Sequence, residues 1–341
     1  MTKRRPRRRA RRGPLPAAAV TRTSAPVPGT AAARGAAFLR GAAATLCAAV
    51  VLGTAGCAAP AAEPADADRP VVLTTFSVIA DLVRQVGGDR VEVLSITKPG
   101  AEIHGYEPTP SDLVRIHEAD LVLDNGLGLE RWFGRFVRDL DVPHAVLSEG
   151  VVPVDIATGA YSGRPNPHAW MSPVQARLYV DNAERALAGL SPEDADYFAA
   201  RADAFRGELR KLEERARAGV ASNPRAALVT CEGAFSYLAR DMGLREHFLW
   251  PVNSDAEGTP RQIREQIGFV EDNDVPAVFC ESTVNDSAQR RVAAEAGVPL
   301  LGPLYVDSVS GPDGPVPTFL DLLNYDLDTI LEGLDHAAAI Q

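Results

Sequence analysis

Residues 191–220 read SPEDADYFAARADAFRGELRKLEERARAGV, and the length of this helical pattern sets the architecture of the chain. Ser191 is a typical N-cap residue, Pro192 suits the first helical position, and acidic residues follow in the first turn. Only Gly207 weakens the pattern before Asn223-Pro224 ends it. A helix of about 28 residues is roughly 42 Å long, enough to run along two lobes. Its apolar stripe is predicted to comprise Tyr197, Ala200, Ala204, Leu209 and Leu212.

The residues before this helix alternate between strand and helix patterns. Strands are predicted from apolar, β-branched runs, at Val71–Phe76, Val91–Ile96, Leu121–Leu123 and His144–Leu147. Helices are predicted from apolar residues three and four positions apart, at Val78–Val86, Ser111–His117 and Leu129–Leu140. Because the strands are apolar throughout, they indicate a parallel sheet covered on both faces.

The same alternation resumes after the long helix. Strands are predicted at Ala226–Thr230, Phe248–Val252, Ala277–Cys280 and Val298–Leu301, and helices at Phe235–Met242, Pro260–Asn273, Ala288–Ala296 and Thr318–Leu334. We therefore predict an α/β protein of two lobes, each a mostly parallel sheet flanked by helices, joined by one long backbone helix. The expected boundaries are residues 70–190, 191–222 and 223–341. Ligands of such folds bind at the carboxyl ends of the strands, here in the interlobe cleft.

The first 56 residues differ sharply in charge from the rest of the 341-residue chain. They contain 11 of its 35 Lys and Arg residues and none of its 45 Asp and Glu residues. Residues 57–341 therefore carry 24 basic and 45 acidic side chains, a formal net charge of −21. Nucleic-acid binding depends largely on neutralising phosphates, so this acidic portion excludes that class of partner.

The N-terminal segment has the parts of a bacterial export signal. An arginine-rich start is followed by an apolar stretch over residues 42–52 and by small residues directly before Cys57. This order predicts a lipoprotein-type signal peptide over residues 1–56, with Cys57 lipidated and residues 57–69 forming a flexible tether. A signal peptide without lipidation is the alternative. We expect an exported protein that a lipid anchor holds at the outer face of the cytoplasmic membrane.

Four polar residues lie in loops where a two-lobed α/β fold presents a ligand. His104 and His168 belong to the N-terminal lobe, and Glu232 and Asp307 to the C-terminal lobe. Two neutral imidazoles and two carboxylates carry a charge of −2, which balances a divalent cation. Such a set without thiolates suits Mn²⁺ or Fe²⁺ and is workable for Zn²⁺. A single loop histidine is more often a surface residue, so the pattern alone leaves both interpretations open.

Several motifs resemble one known family. His104–Leu113 (HGYEPTPSDL) and Asn166–Pro173 (NPHAWMSP) resemble the two metal-histidine signatures of the metal-specific ABC-transporter solute-binding lipoproteins, which include manganese- and zinc-binding "adhesin" lipoproteins. The likeness runs from about Val71 to Leu334 in the same order. It extends to the family's C-terminal signatures, at Glu232-Gly233-Ala234-Phe235, Glu257-Gly258-Thr259-Pro260 and Asp307-Ser308-Val309.

The resemblance implies a ligand set and a metal. It assigns the metal to His104, His168, Glu232 and Asp307. The third of these positions holds His in zinc-type members and Glu in manganese- or iron-type members, and zinc-type members commonly carry a His-rich loop that this chain lacks. Both departures imply Mn²⁺, or Fe²⁺, with Zn²⁺ as the alternative. Exchanging an imidazole for a carboxylate also makes the site harder.

The function implied by the resemblance is metal capture and delivery to an ABC permease and its ATPase, by a monomer that is not an enzyme. A metallohydrolase using the same four residues, or a surface adhesin, are the alternatives from other classes. Glu281 follows a strand and is expected to orient a ligand. Cys231 and Cys280 end strands that are candidates for neighbours, which predicts a disulfide close to Glu232 whose reduction would weaken metal binding. Two buried thiols are the alternative.

Overall fold

The computed structural model describes residues 69–133, 142–157, 159–223, 226–252 and 258–335. The predicted signal peptide, Cys57 and nearly all of the predicted tether lie outside these ranges, so they stay predictions. Within the described ranges, no helix is both long enough and apolar enough to cross a membrane.

The N-terminal half is built on a four-stranded parallel sheet. Its strands are β1 (Val71–Thr74), β2 (Glu92–Ser95), β3 (Leu121–Asp124) and β4 (His144–Val146), in the order β2-β1-β3-β4. Neighbouring residues of β1 point to opposite faces, and the side chains of both faces are buried in separate apolar clusters. The predicted sheet that is covered on both faces is confirmed.

The helices of this half are α1 (Ser77–Gly87), α2 (Pro110–Glu118) and α3 (Pro173–Leu190). Helix α3 is not among the sequence-based predictions. It begins where the Ser172 side chain accepts a hydrogen bond from the backbone N–H of Val174, which satisfies one free donor of the first turn.

The predicted helix over residues 129–140 is wrong in its described part. Residue 129 forms a bend, residue 130 has no regular structure and residues 131–133 form a turn. The Glu130 carboxylate accepts hydrogen bonds from the backbone N–H of Asn125 and the hydroxyl of Thr75, which fixes the loop against β1 instead of starting a helix. Residues 134–141 lie outside the described ranges.

The long helix α4 spans Ala195–Ala221, and residues 192–194 before it form a 3₁₀ turn. Its buried residues are Phe198, Ala202, Phe205, Leu209, Leu212 and Ala216. The predicted stripe was therefore wrong for Tyr197, Ala200 and Ala204. Tyr197 stays partly exposed because its hydroxyl donates to the Asp89 carboxylate at 2.7 Å. Helix α4 packs against α1 and α3 and against the last helix of the chain, so it contacts both halves.

The C-terminal half contains two parallel strand pairs. Strands β5 (Ala227–Glu232) and β6 (Arg245–Trp250) form one pair, and β7 (Val278–Glu281) and β8 (Leu300–Leu304) form the other. A disulfide joins the ends of β5 and β7, whose cysteine Cα atoms are 4.9 Å apart, the usual spacing of adjacent strands. The helices are α5 (Ser236–Met242), α6 (Pro260–Asp272), α7 (Ser287–Ala296) and α8 (Phe319–Asp335).

One apolar core extends through both halves. It contains residues of α1, α3, α4 and α8 together with side chains of β1, β3 and β5. The structure is thus α/β with parallel strands, flanking helices and one long helix, as predicted. The carboxyl ends of the strands in both halves carry the loops described next.

Candidate metal centre

The four predicted metal-binding side chains converge on one point. The Nε2 atom of His104 lies 3.2 Å from Nε2 of His168, 3.3 Å from Oε1 of Glu232 and 3.8 Å from Oδ1 of Asp307. Nε2 of His168 is 3.8 Å from the same Glu232 oxygen. All four side chains are at most 4% exposed. Two imidazoles from the N-terminal half thus face two carboxylates from the C-terminal half.

Each histidine is held by a side chain two residues before it. The Glu102 carboxylate accepts the backbone N–H of His104 at 2.6 Å and that of Gly105 at 3.0 Å. The Asn166 side-chain oxygen accepts the backbone N–H of His168 at 3.0 Å and lies 2.9 Å from its Nδ1. Because an amide oxygen only accepts, Nδ1 of His168 carries the proton and Nε2 keeps a free lone pair.

Asn166 also reaches across to the other half. Its side-chain NH₂ donates to the carbonyl oxygen of Gly233 at 2.5 Å and to the hydroxyl of Ser236 at 3.3 Å. Gly233 directly follows Glu232, so one amide side chain contacts both the ring of His168 and the backbone next to Glu232. The orientation of one candidate ligand is therefore linked to the placement of another.

The two carboxylates stand at the ends of strands. Glu232 is the last residue of β5, and its backbone N–H donates to Glu281 Oε2 at 3.1 Å. Asp307 follows β8, and its Oδ2 accepts the Thr283 hydroxyl at 3.1 Å. Its Oδ1 is buried and has no hydrogen-bond partner among the described residues. A buried carboxylate oxygen without a donor is an expensive arrangement that a cation relieves.

Burial shifts the titration of these groups in opposite directions. It lowers the pKa of His104 and lowers that of His168 well below 6.5, because the interior disfavours the imidazolium form. It raises the pKa of Asp307 and raises that of Glu281 to about 8, because it disfavours the carboxylate form. The histidines are thus neutral, the form that binds a metal.

The surroundings of the His104 ring identify its tautomer. Its Nε2 lies 3.2 Å from Nε2 of His168, which keeps a free lone pair and therefore accepts. A neutral ring meets this acceptor favourably only if its own Nε2 carries the proton. The Nε2–H of His104 therefore points to the centre of the four-residue cluster.

The remaining predicted residues are placed as follows. Cys231 and Cys280 form a disulfide beside Glu232. Glu281 accepts the backbone N–H of Glu232, and this hydrogen bond fixes the end of β5.

Sequence reasoning missed Asn166 and Glu102. Asn166 precedes Pro167, and a residue before proline is held extended, which suits a side chain that accepts from the backbone two residues on. An acidic or amide residue two positions before each candidate histidine was a usable signal. The bridge from Asn166 to Gly233 had no signal, because it joins residues 67 positions apart.

Comparison with known proteins shows the family of the chain. The family described as "ZnuA: Zinc-uptake complex component A periplasmic" matches residues 72–333. The chain belongs to this family. Members are substrate-binding components of metal ABC transporters, which are solute-binding proteins and not enzymes.

Individual relatives differ in the metal they are named for. The chain is 46% identical to the iron-binding protein YfeA of Yersinia pestis over 265 residues, which cover 77% of this chain and 85% of that protein. It is 33% identical to the manganese-binding lipoprotein MntA of Halalkalibacterium halodurans, covering 82% and 94%. A manganese-bound periplasmic metal-binding protein from Candidatus Liberibacter asiaticus superposes with a TM-score of 0.72 at 34% identity, covering 78% and 100%.

Proposed function

We propose that this protein captures Mn²⁺ or Fe²⁺ with His104, His168, Glu232 and Asp307 and delivers it to an ABC permease and its ATPase. The observation that carries the proposal is the convergence of two neutral imidazoles and two carboxylates within 4 Å of one ring nitrogen. Their combined charge of −2 matches a divalent cation.

The donor set supports a hard metal. Carboxylates suit Mn²⁺ and imidazoles suit Fe²⁺, and two carboxylates that each bind through both oxygens allow more than four bonds. Names of relatives that include iron and manganese support the same choice. The affinity order of divalent metals still favours Zn²⁺ at almost any such site, so selectivity has to come from geometry.

The proposal includes the location of the protein. Residues 1–56 direct export, Cys57 carries the lipid, and residues 57–69 connect the folded part to the outer face of the cytoplasmic membrane. The protein acts as a monomer. A metallohydrolase is disfavoured because a catalytic metal keeps a position open for water or substrate, and four protein ligands leave little room.

A competition titration tests the metal. Metal-stripped protein is melted with Mn²⁺, Fe²⁺ and Zn²⁺ in turn, and affinities are measured by calorimetry, because binding to the native state raises the melting temperature. The Glu232→His variant introduces the imidazole donor of zinc-type members and is expected to shift the metal preference of the protein towards Zn²⁺. A Glu265→His variant on the exposed face of α6 is the control and should change nothing.

Three results would each overturn part or all of the proposal. Absence of stabilisation by any divalent metal would remove the four-residue site. Unchanged metal preference in Glu232→His would remove this residue as the determinant of selectivity. A wild-type protein that binds only Zn²⁺ would make it a zinc carrier with the same site.

A further inference from the structure

A cavity of about 420 Å³ opens next to His104. A water molecule occupies about 30 Å³ of liquid volume, so this space far exceeds the needs of one metal ion with a few waters. It has the size of a pocket for a small organic molecule. Much of its wall is apolar and consists of Leu127, Leu129, Ile156 and Val252.

The charged side chains in this wall are basic. Arg131 and Arg164 line the cavity, and no acidic side chain does so among the described residues. Among the residues that the structure describes, no salt bridge joins the guanidinium of Arg131 or Arg164 to a carboxylate. Arg164 lies over the ring of Tyr161, 5.5 Å from its centroid, which holds it at the wall. Positive charge beside a cation site is unexpected in a protein whose residues 57–341 carry a net charge of −21.

The loop after β3 shapes one wall of this cavity. Gly126, Leu127 and Gly128 all have positive φ, at 79°, 53° and 80°. The left-handed conformation is strained for a residue with a Cβ atom, such as Leu127. A Cβ atom at Gly128 would meet nothing within 4 Å, so the backbone there borders open space. A strained backbone segment thus forms a concave wall beside His104.

We propose that this cavity binds a small organic di- or tricarboxylate, and that the metal reaches His104 as a complex with such an anion. The inference rests on the proposed function and names the form of its substrate. A bare divalent cation is repelled by two guanidiniums on its approach, whereas a metal complex of citrate with a net negative charge is attracted. Guanidinium and carboxylate also form paired, charge-assisted hydrogen bonds.

The transfer is a ligand exchange. Bonds between the metal and the carboxylates of the anion are replaced one by one by bonds to His104 and the three more deeply buried ligands. The carboxylates that leave the metal are then paired by Arg131 and Arg164. No electron changes place, and the only bonds that break and form are coordination bonds.

The first experiment separates anion binding from chelation. Metal-free protein is titrated by calorimetry with tricarballylate, which has three carboxylates but lacks the hydroxyl that makes citrate a strong chelator. We expect saturable binding that weakens about tenfold in Arg131→Ala and in Arg164→Ala. Arg261→Ala removes an exposed arginine from α6 and is the control, for which binding should be unchanged.

The second experiment compares routes of loading. The rate of metal loading of the protein is followed by stopped-flow tryptophan fluorescence, since the ring of Trp170 lies 5.2 Å from that of His168. Manganese is supplied either as the hydrated ion or as its citrate complex. The double variant R131E, R164E reverses both charges. It should lower the ratio of the loading rate from the citrate complex to the loading rate from the hydrated ion at least tenfold.

The outcomes distinguish this inference from the proposed function. If the wild type binds hydrated Mn²⁺ but gives no binding heat with tricarballylate, the anion pocket is wrong and the carrier function stands. An unchanged ratio of loading rates in the charge-reversed variant would equally overturn the inference. If the wild type binds no divalent metal in any form, the proposed function itself fails.

Discussion

The two halves of the molecule bring chemically opposite ligands to one point. The N-terminal half supplies His104 and His168, which burial keeps neutral. The C-terminal half supplies Glu232 and Asp307, and burial raises the pKa of Asp307 because a charged carboxylate is poorly solvated there. Without a metal, the histidine side is close to its binding form, while the carboxylate side is electrostatically unfavourable.

This difference shows where the cation contributes most. Neutral imidazoles are buried at little cost, and Glu102 and Asn166 hold their loops by hydrogen bonds. Oδ1 of Asp307 has no hydrogen-bond partner among the described residues, and a cation would neutralise this buried carboxylate. The metal therefore neutralises the charge of the carboxylates in the C-terminal half, whereas the histidines of the N-terminal half mainly supply oriented donor atoms.

The largest expected effect comes from removing one ligand of each kind. Asp307→Asn and His168→Gln should each lower the affinity for Mn²⁺ at least a thousandfold, about 4 kcal/mol, more than outer-shell contacts contribute. Only Asp307→Asn should stabilise the metal-free protein at pH 8, by about 1 to 3 kcal/mol, because it removes a buried charge. Calorimetry and urea denaturation measure both. Destabilisation of metal-free Asp307→Asn would contradict the proposed difference between the halves.

The disulfide stabilises only the carboxylate side. It closes a loop between residues 49 positions apart, for which loop-closure entropy gives about 4 kcal/mol. The double variant Cys231→Ala, Cys280→Ala should lose roughly that much unfolding free energy in urea. Hydrogen exchange should accelerate more in β5 and β7 than in β1 and β3. Equal acceleration in both halves would show that the bridge acts on the whole protein.

A buried carboxyl in the C-terminal half gives a pH test. Burial raises the pKa of Glu246 from 4.5 to about 7, so the folded protein holds a proton that the unfolded chain releases above pH 4.5. Its stabilising effect is complete below pH 4.5 and is lost as pH rises to 7. Metal-free wild type should therefore lose roughly 2 to 3 kcal/mol relative to Glu246→Gln between pH 4.5 and pH 8. Parallel stability curves would contradict the shift.

The smallest expected effect concerns the histidine side. Asn166→Ala removes the acceptor of the Nδ1–H of His168 and should lower metal affinity about 10- to 100-fold. Nitrogen NMR should show a mixture of His168 tautomers, which a general loss of stability would not produce. Glu102→Gln retains an acceptor for the backbone N–H of His104 and is the milder control. A single unchanged tautomer in Asn166→Ala would remove the orienting role of Asn166.

The fold could be predicted from sequence where apolar runs were uninterrupted. Strands such as Leu121–Asp124 are buried on both faces, and the hydrophobic effect alone selects them. Helix α3 was missed although Ser172 and Pro173 form a recognisable helix start. The prediction of a buried stripe on α4 was wrong at Tyr197 because this side chain is amphipathic. Its hydroxyl donates to the carboxylate of Asp89, 108 positions earlier in the chain. Such tertiary partners are invisible in local periodicity.

The candidate site could also be predicted in part from the sequence. His104, His168, Glu232 and Asp307 could be identified because each lies in a predicted loop and in a motif that resembles a known family. Their mutual distances, and the bridge from Asn166 to Gly233, depend on how the two halves pack. That packing arises from an apolar core assembled from distant segments, which no short stretch of sequence encodes.

The Nε2–H of His104 has a consequence for the order of events during capture. In the metal-free protein this proton occupies the position that the cation needs, between one lone pair and two carboxylates. A neutral ring bonds to a metal through Nε2 only after its proton has moved to Nδ1, so loading requires a change of tautomer while the ring stays neutral. Release of the metal allows the proton to return to Nε2.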